Sequence, residues 1–162
     1  MPSINQNICN IKIGVVLSGG QAAGGHNVIS GIYDYIKRKH PNSQLFGFLG
    51  GPAGVYNGKY IELKEHAINY FRNRGGFDII CKFFYFEYNF LLLFFFFNTS
   101  ASGRNKIETP EQFSNSQKHC EALKLDGLVI IGGDDSNTNA CLLAEYFLAN
   151  NCPTKVLEYI VC

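Results

Sequence analysis

Short apolar runs alternate along this chain with longer stretches in which apolar residues recur every three or four positions. Ile11-Lys12-Ile13-Gly14-Val15-Val16-Leu17 is a nearly continuous apolar run and predicts a buried strand. Val28, Ile29, Ile32, Tyr33 and Ile36 then recur at helical spacing. Lys37, Arg38 and Lys39 suit the negative end of that helix, and Pro41 stops it. Gln44 to Phe48 predicts a second strand, ending at Gly50-Gly51-Pro52. A helix is predicted from Glu62 to Arg74, with Leu63, Ala67, Ile68 and Phe71 on one face and Gly75-Gly76 behind it. Asp78-Ile79-Ile80-Cys81 predicts a third strand. Thr109-Pro110-Glu111 is a helix start with proline at the first helical position. Gly127 to Ile131 predicts a fourth strand, Asn137 to Leu148 a helix, and Lys155 to Val161 a last strand. Strands alternating with helices imply an α/β fold: an open, mostly parallel sheet with helices on both faces and right-handed connections.

Lys82 to Ala101 breaks the pattern. It contains Phe83-Phe84-Tyr85-Phe86 and Leu91-Leu92-Leu93-Phe94-Phe95-Phe96-Phe97, with neither helical nor alternating period. A membrane anchor is one reading, but the run is shorter than the roughly 20 residues a span needs, and Glu87 interrupts it. A hydrophobic surface insertion is another, with an aggregation hazard attached. The expectation adopted is a third, translated intron sequence. Phe, Tyr, Asn, Lys and Leu are what AT-rich DNA encodes, and codons for Cys81-Lys82-Phe83 can contain the splice donor GTAAGT. A processed transcript is then expected to join Ile80 or Cys81 almost directly to Ser102.

Composition narrows the function classes. At 162 residues, 46% hydrophobic and 17% charged, the chain is long enough for one domain with a real core and is not of disordered type. A net charge of +1 argues against a dedicated nucleic-acid surface. Residues 1–10 form a polar tail without the basic start and apolar run of a secretory signal. Cys9, Cys81, Cys120, Cys141, Cys152 and Cys162 include no Cys-x-x-Cys pair, so the expectation is free thiols in a cytoplasmic protein. His26, His40, His66 and His119 are scattered and receive no catalytic role.

Three segments carry candidate chemistry. Leu17-Ser18-Gly19-Gly20-Gln21-Ala22-Ala23-Gly24-Gly25-His26-Asn27 runs from a strand into a helix, where backbone N–H groups and the helix end favour an anion. It meets neither the Gly-x-Gly-x-x-Gly fingerprint nor the P-loop pattern, so a phosphate site, a dinucleotide site and a plain tight turn all stay open. Ile130-Ile131-Gly132-Gly133-Asp134-Asp135-Ser136-Asn137-Thr138 puts two carboxylates at a strand's carboxyl end, where open α/β sheets bind ligands. Hard oxygens at a phosphate site suit Mg²⁺, whereas Asp135 or Ser136 acting only as a helix N-cap is the alternative. In Ser102-Gly103-Arg104-Asn105-Lys106, Arg104 can clamp a phosphoryl group or belong to a solvated basic loop.

These segments, with Gly50-Gly51-Pro52-Ala53-Gly54 between them and Ile107-Glu108-Thr109 after Arg104, occur in one order that resembles the pyrophosphate-dependent phosphofructokinases, in their catalytic, beta-type form. The resemblance covers nearly the whole chain except Lys82–Ala101 and the last few residues. It implies a partial phosphofructokinase fold, Rossmann-like, with residues 11–162 as a donor-binding domain carrying the 82–101 insertion. It also implies glycolytic transfer of a phosphoryl group to the 1-hydroxyl of fructose 6-phosphate, using Mg²⁺ and a pyrophosphate donor. Homo- or hetero-oligomers are implied, with no nucleic-acid or membrane partner. Gly19, Gly20, Gly133 and Ser136 are then expected at the donor phosphates, Arg104 at the transferring group and Asp134 at the magnesium. Asp135 replaces a glycine of the ATP-dependent relatives. Its carboxylate would fill and repel the α-phosphate position, which favours pyrophosphate over the alternative donor, ATP. A non-catalytic phosphate- or nucleotide-binding or regulatory module is the other alternative, against which the Asp134-Asp135 pair argues. Ala23 stands where the family usually has proline. Lys155 to Cys162 begins as the family's next strand and then diverges, before the segment expected to carry the aspartate base. This chain alone is therefore expected to show no kinase activity.

Overall fold

The computed structural model describes residues 10–20, 24–74, 78–80 and 105–160. Most of the tail, the Lys82–Ala101 run expected to be translated intron sequence, and Arg104 lie outside the described residues. One five-stranded sheet organises the rest, in the order β3-β2-β1-β4-β5. Its strands are β1 (Lys12–Leu17), β2 (Gln44–Phe48), β3 (Tyr60–Glu62), β4 (Gly127–Gly132) and β5 (Lys155–Ile160). β1 pairs in parallel with β2 on one side and β4 on the other, and β4 pairs in parallel with β5. The helices are α1 (Gly25–Lys39), α2 (Pro52–Tyr56), α3 (Glu65–Phe71), α4 (Pro110–Leu123) and α5 (Asp134–Ala149). The predicted α/β class is the observed one.

Sidedness explains the apolar runs. Every residue of β4 is buried, as are the last four of β1, because helices cover both faces. On one face Val15, Leu17, Val129 and Ile131 pack with Ile29 and Ile36 of α1 and with Ile68 and Phe71 of α3. On the other, Val16, Leu128 and Ile130 pack with Val55 of α2, Cys120 of α4, and Ala140, Leu143 and Phe147 of α5. Alternate residues of one strand thus serve two cores, as a period of two requires. β5 is an edge strand and leaves Leu157, Tyr159 and Ile160 more than half exposed.

Two sequence expectations are corrected. The helix predicted over Glu62–Arg74 begins later, at Glu65, and Tyr60–Glu62 is instead a strand antiparallel to β2. The Leu63 amide still donates to Leu45 O at 2.8 Å, which holds the chain extended through the position where the helical pattern starts. The third predicted strand is, in its described part, a single 3-10 turn at Asp78–Ile80. β3 already occupies the sheet edge beside β2, so Ile79 and Ile80 reach the core without a ladder. Their polar groups are met elsewhere: the Ile79 amide donates to His26 Nε2 at 3.1 Å, and Ile80 O accepts from Gly50 N at 3.3 Å. The short helix α2 was not foreseen; α5 starts three residues before the predicted Asn137.

Candidate functional site

Strand order reverses between β1 and β4: from β1 the chain moves outward to β2, and from β4 to β5 on the opposite side. Such a switch point opens a crevice at the carboxyl ends of the two strands, and both glycine-rich segments lie there. They are joined directly. Ser18 N donates to Ile131 O at 2.8 Å, and the Ser136 hydroxyl donates to Ser18 Oγ at 2.9 Å, with both serines buried. Gly132 makes this approach possible, since a Cβ there would sit 2.4 Å from Ser18 O and 2.6 Å from Ser136 Oγ. Gly19 takes φ +88°, a conformation glycine adopts at little cost. Gly20 and Gly133 differ: a Cβ at either would meet nothing within 4 Å.

Both helices that leave the crevice start without a side-chain cap. α1 follows Gly24 and α5 follows Gly133. Gly133 O accepts the amides of Ser136 and Asn137, and among the described residues no hydrogen bond engages the Asp134 or Asp135 amide. Neither Asp135 nor Ser136 is the N-cap, so the capping alternative does not hold. Uncapped first-turn amides and the helix dipole attract anions.

Asp134 and Asp135 are both exposed in the first turn of α5. Lys106 Nζ lies 3.6 Å from Asp135 Oδ1, the one described ion pair at the crevice. Asn137, in the same turn, keeps Oδ1 buried without a hydrogen-bond partner. Among the described residues no cluster of three His, Cys, Asp or Glu side chains forms a metal cage. Two adjacent carboxylates do fit Mg²⁺, which takes one or two of them beside phosphate oxygens and keeps several waters.

Sequence reading missed several residues that shape this region. His26 is fully buried beside Phe71: Nδ1 faces Arg74 O at 2.8 Å and Nε2 accepts from Ile79 N. That pattern requires the neutral imidazole with its proton on Nδ1. Asn27 Oδ1 accepts the Asn73 amide at 3.1 Å, so the first turn of α1 holds Asn73, Arg74 and Ile79. Asn139 does the equivalent from α5, accepting the Ile107 amide at 3.0 Å and donating to Ile107 O at 2.6 Å. Thr109 and Gln112 close a capping box at the start of α4. Thr109 was legible as a helix start, and its spacing to Gln112 is that of a capping box; His26, Asn27 and Asn139 carried no local signal for their partners. The structure thus brings Gly19, Gly20, Gly133, Asp134, Asp135 and Ser136 together, with the Ser136 hydroxyl turned inward to Ser18 and Lys106 added beside Asp135.

No protein-family model matches the sequence. Curated proteins do. Over 147 residues the chain is 55% identical to pyrophosphate–fructose 6-phosphate 1-phosphotransferase subunit beta 2 of Arabidopsis thaliana, covering 91% of this chain and 22% of that one. Over nine-tenths of its length the chain is similar to pyrophosphate-dependent phosphofructokinases. Similarity extends to the pyrophosphate–fructose 6-phosphate 1-phosphotransferase of Treponema pallidum, 46% identical over 147 residues, with 91% of this chain and 22% of that one covered. The chain therefore spans about a fifth of the length of the curated phosphofructokinases it matches. The fold agrees with solved structures: a pyrophosphate-dependent phosphofructokinase from Nitrosospira multiformis superposes with a TM-score of 0.66 at 12% identity, over 93% of this chain and 33% of that one.

Proposed function

We propose that this chain is the donor-binding part of an enzyme that transfers a phosphoryl group from pyrophosphate to the 1-hydroxyl of fructose 6-phosphate. The observation that carries this is the pairing of two glycine-rich strand ends at the sheet's switch point, one bearing consecutive carboxylates, in a chain 55% identical to a protein named for that reaction. The amides around Gly19, Gly20 and Gly133 receive the donor phosphates. Ser136 locks the two loops at the spacing those amides need. Asp134 holds the magnesium ion, and Arg104, outside the described residues, steadies the moving phosphoryl group. Mg²⁺, when bound, neutralises charge on the phosphate oxygens. Phosphoryl transfer depends mostly on positioning and charge neutralisation, so a rigid crevice of amides and cations is the right equipment.

Asp135 selects the donor. Its carboxylate is 91% exposed at the mouth of the crevice, where a third phosphate and a nucleoside would meet it. Pyrophosphate carries neither. The word "subunit" in the Arabidopsis relative's name supports assembly with further chains.

Titration calorimetry of the purified chain with MgCl₂ tests the donor site. Pyrophosphate should bind saturably and ATP about tenfold more weakly or worse, a gap of about 1.4 kcal/mol. Asp135→Gly should narrow that gap by tightening ATP. Equal binding of both donors, or an unchanged preference in the variant, would falsify the assignment.

A further inference from the structure

Asn139 has no place in the donor site as proposed above, yet it makes the closest side-chain link between α5 and the segment leading into α4. Its carboxamide contacts both main-chain groups of one residue, as a neighbouring strand would: Oδ1 takes the Ile107 amide at 3.0 Å and Nδ2 gives to Ile107 O at 2.6 Å. Both residues are buried, Asn139 at 8% exposure and Ile107 at 1%. Ile107 is further held by its side chain in the cluster with Val16, Phe48 and Leu128.

Asn139 stands four residues after Asp135, so the two share one face of α5. The residue before Ile107 is Lys106, whose Nζ lies 3.6 Å from Asp135 Oδ1. Two rungs therefore join the same pair of segments: a buried one, Asn139 to Ile107, and an exposed one, Asp135 to Lys106. The exposed rung is weak alone, since an ion pair this open to water gains little and must immobilise a long lysine stem. The buried rung brings the lysine's main chain to the right place.

We propose that Asn139 is a positioning residue that keeps Lys106 against Asp135, so that the lysine's positive charge stands at the mouth of the crevice where a pyrophosphate donor is held. This rests on the donor-site reading given above. Only asparagine among side chains of this length offers both a donor and an acceptor here. Aspartate keeps the acceptor alone, and leucine keeps neither.

A double-mutant cycle tests it on the 162-residue chain, with pyrophosphate and MgCl₂ as the calorimetric probe and amide hydrogen exchange at Ile107 as the second readout. Lys106→Ala and Asn139→Leu should each weaken pyrophosphate binding about tenfold, and the double variant should be no weaker than either alone. Ile107 exchange should accelerate in Asn139→Leu. Asn139→Ser, which keeps a hydroxyl able to donate or accept and adds no buried charge, guards against loss of fold and should protect Ile107 more and weaken binding less than Asn139→Leu does. If the single effects multiply to about a hundredfold in the double variant, or if both Asn139 variants bind as the wild type does, Asn139 is a structural clamp only and the positioning role is wrong. A wild-type chain with Ile107 protected that binds no pyrophosphate at all instead refutes the donor site, and the positioning role goes with it.

Discussion

Gly132 and Gly133 are neighbours at the end of β4, yet a methyl group on the first would press to 2.4 Å from Ser18 O while one on the second would meet nothing within 4 Å. The loop after β1 repeats the contrast: Gly19 is held at φ +88°, and Gly20 faces open space. In each pair the first glycine is demanded by the fold. The second leaves room at the crevice, which the proposed function assigns to phosphate oxygens. Identical dipeptides thus divide into a structural and a ligand-facing half, and the division differs between the loops only in its cause. At β4 it comes from close approach of two chains, and at β1 from backbone conformation.

The largest expected effect tests the structural half. Gly132→Ala should cost about 3 kcal/mol in urea unfolding at unchanged slope, because backbone and a buried serine must move to admit the methyl group. A loss below roughly 0.5 kcal/mol would show that the loops are not in contact as described. Next comes the anchor of the first loop. His26→Leu leaves the Ile79 amide and Arg74 carbonyl unpaired and should cost about 2 kcal/mol by the same measurement. The ligand-facing half should respond the other way round. Gly133→Ala and Gly20→Ala should leave stability within about 0.5 kcal/mol of wild type and weaken pyrophosphate binding about tenfold. If either destabilises the chain as much as Gly132→Ala, the contrast fails.

The smallest effect lies far from the crevice. Hydrogen bonding to Arg72, at 2.7 and 2.9 Å, holds the Asp34 carboxyl below its ordinary pKa despite an opposing contribution from burial. A carboxylate lowered in this way stabilises the fold above its unfolded-state pKa of about 3.9, and that contribution disappears as pH falls through the lowered value. Arg72→Ala should therefore be slightly less stable than wild type near neutral pH, and the difference should close in strong acid. Both side chains are more than a third exposed, so screening keeps the effect small. A difference that persists in acid would assign the loss to packing. Buried thiols give a control for all these variants. Burial pushes the Cys120 thiol up to about 12, and it should resist alkylation in the folded state while exposed Cys141 reacts.

Much of the fold was legible in sequence because its signals are local. Apolar runs marked β1, β2, β4 and β5, helical spacing marked α1, and Thr109-Pro110 marked the start of α4. β3 was hidden because three residues carry no period of their own and owe their extension to β2. Ile79-Ile80 looked like a strand because two buried isoleucines read the same in a strand and in a turn. At the candidate site, the glycines and aspartates were readable from their place after apolar strands. The contacts that join them were not: Ser18 and Ser136 are 118 positions apart, and His26 and Ile79 are 53 apart.

By itself, the sequence determined the alternation of strands and helices, the two glycine-rich strand ends and the paired carboxylates, since each follows from residue type and spacing along a few consecutive positions. Only the tertiary structure decided which glycine of each pair bears the close approach, that Ser136 turns inward, that Lys106 meets Asp135, and that Asn139 holds Ile107. Those outcomes depend on which strands become neighbours in the sheet, and that is settled by burying two apolar faces at once.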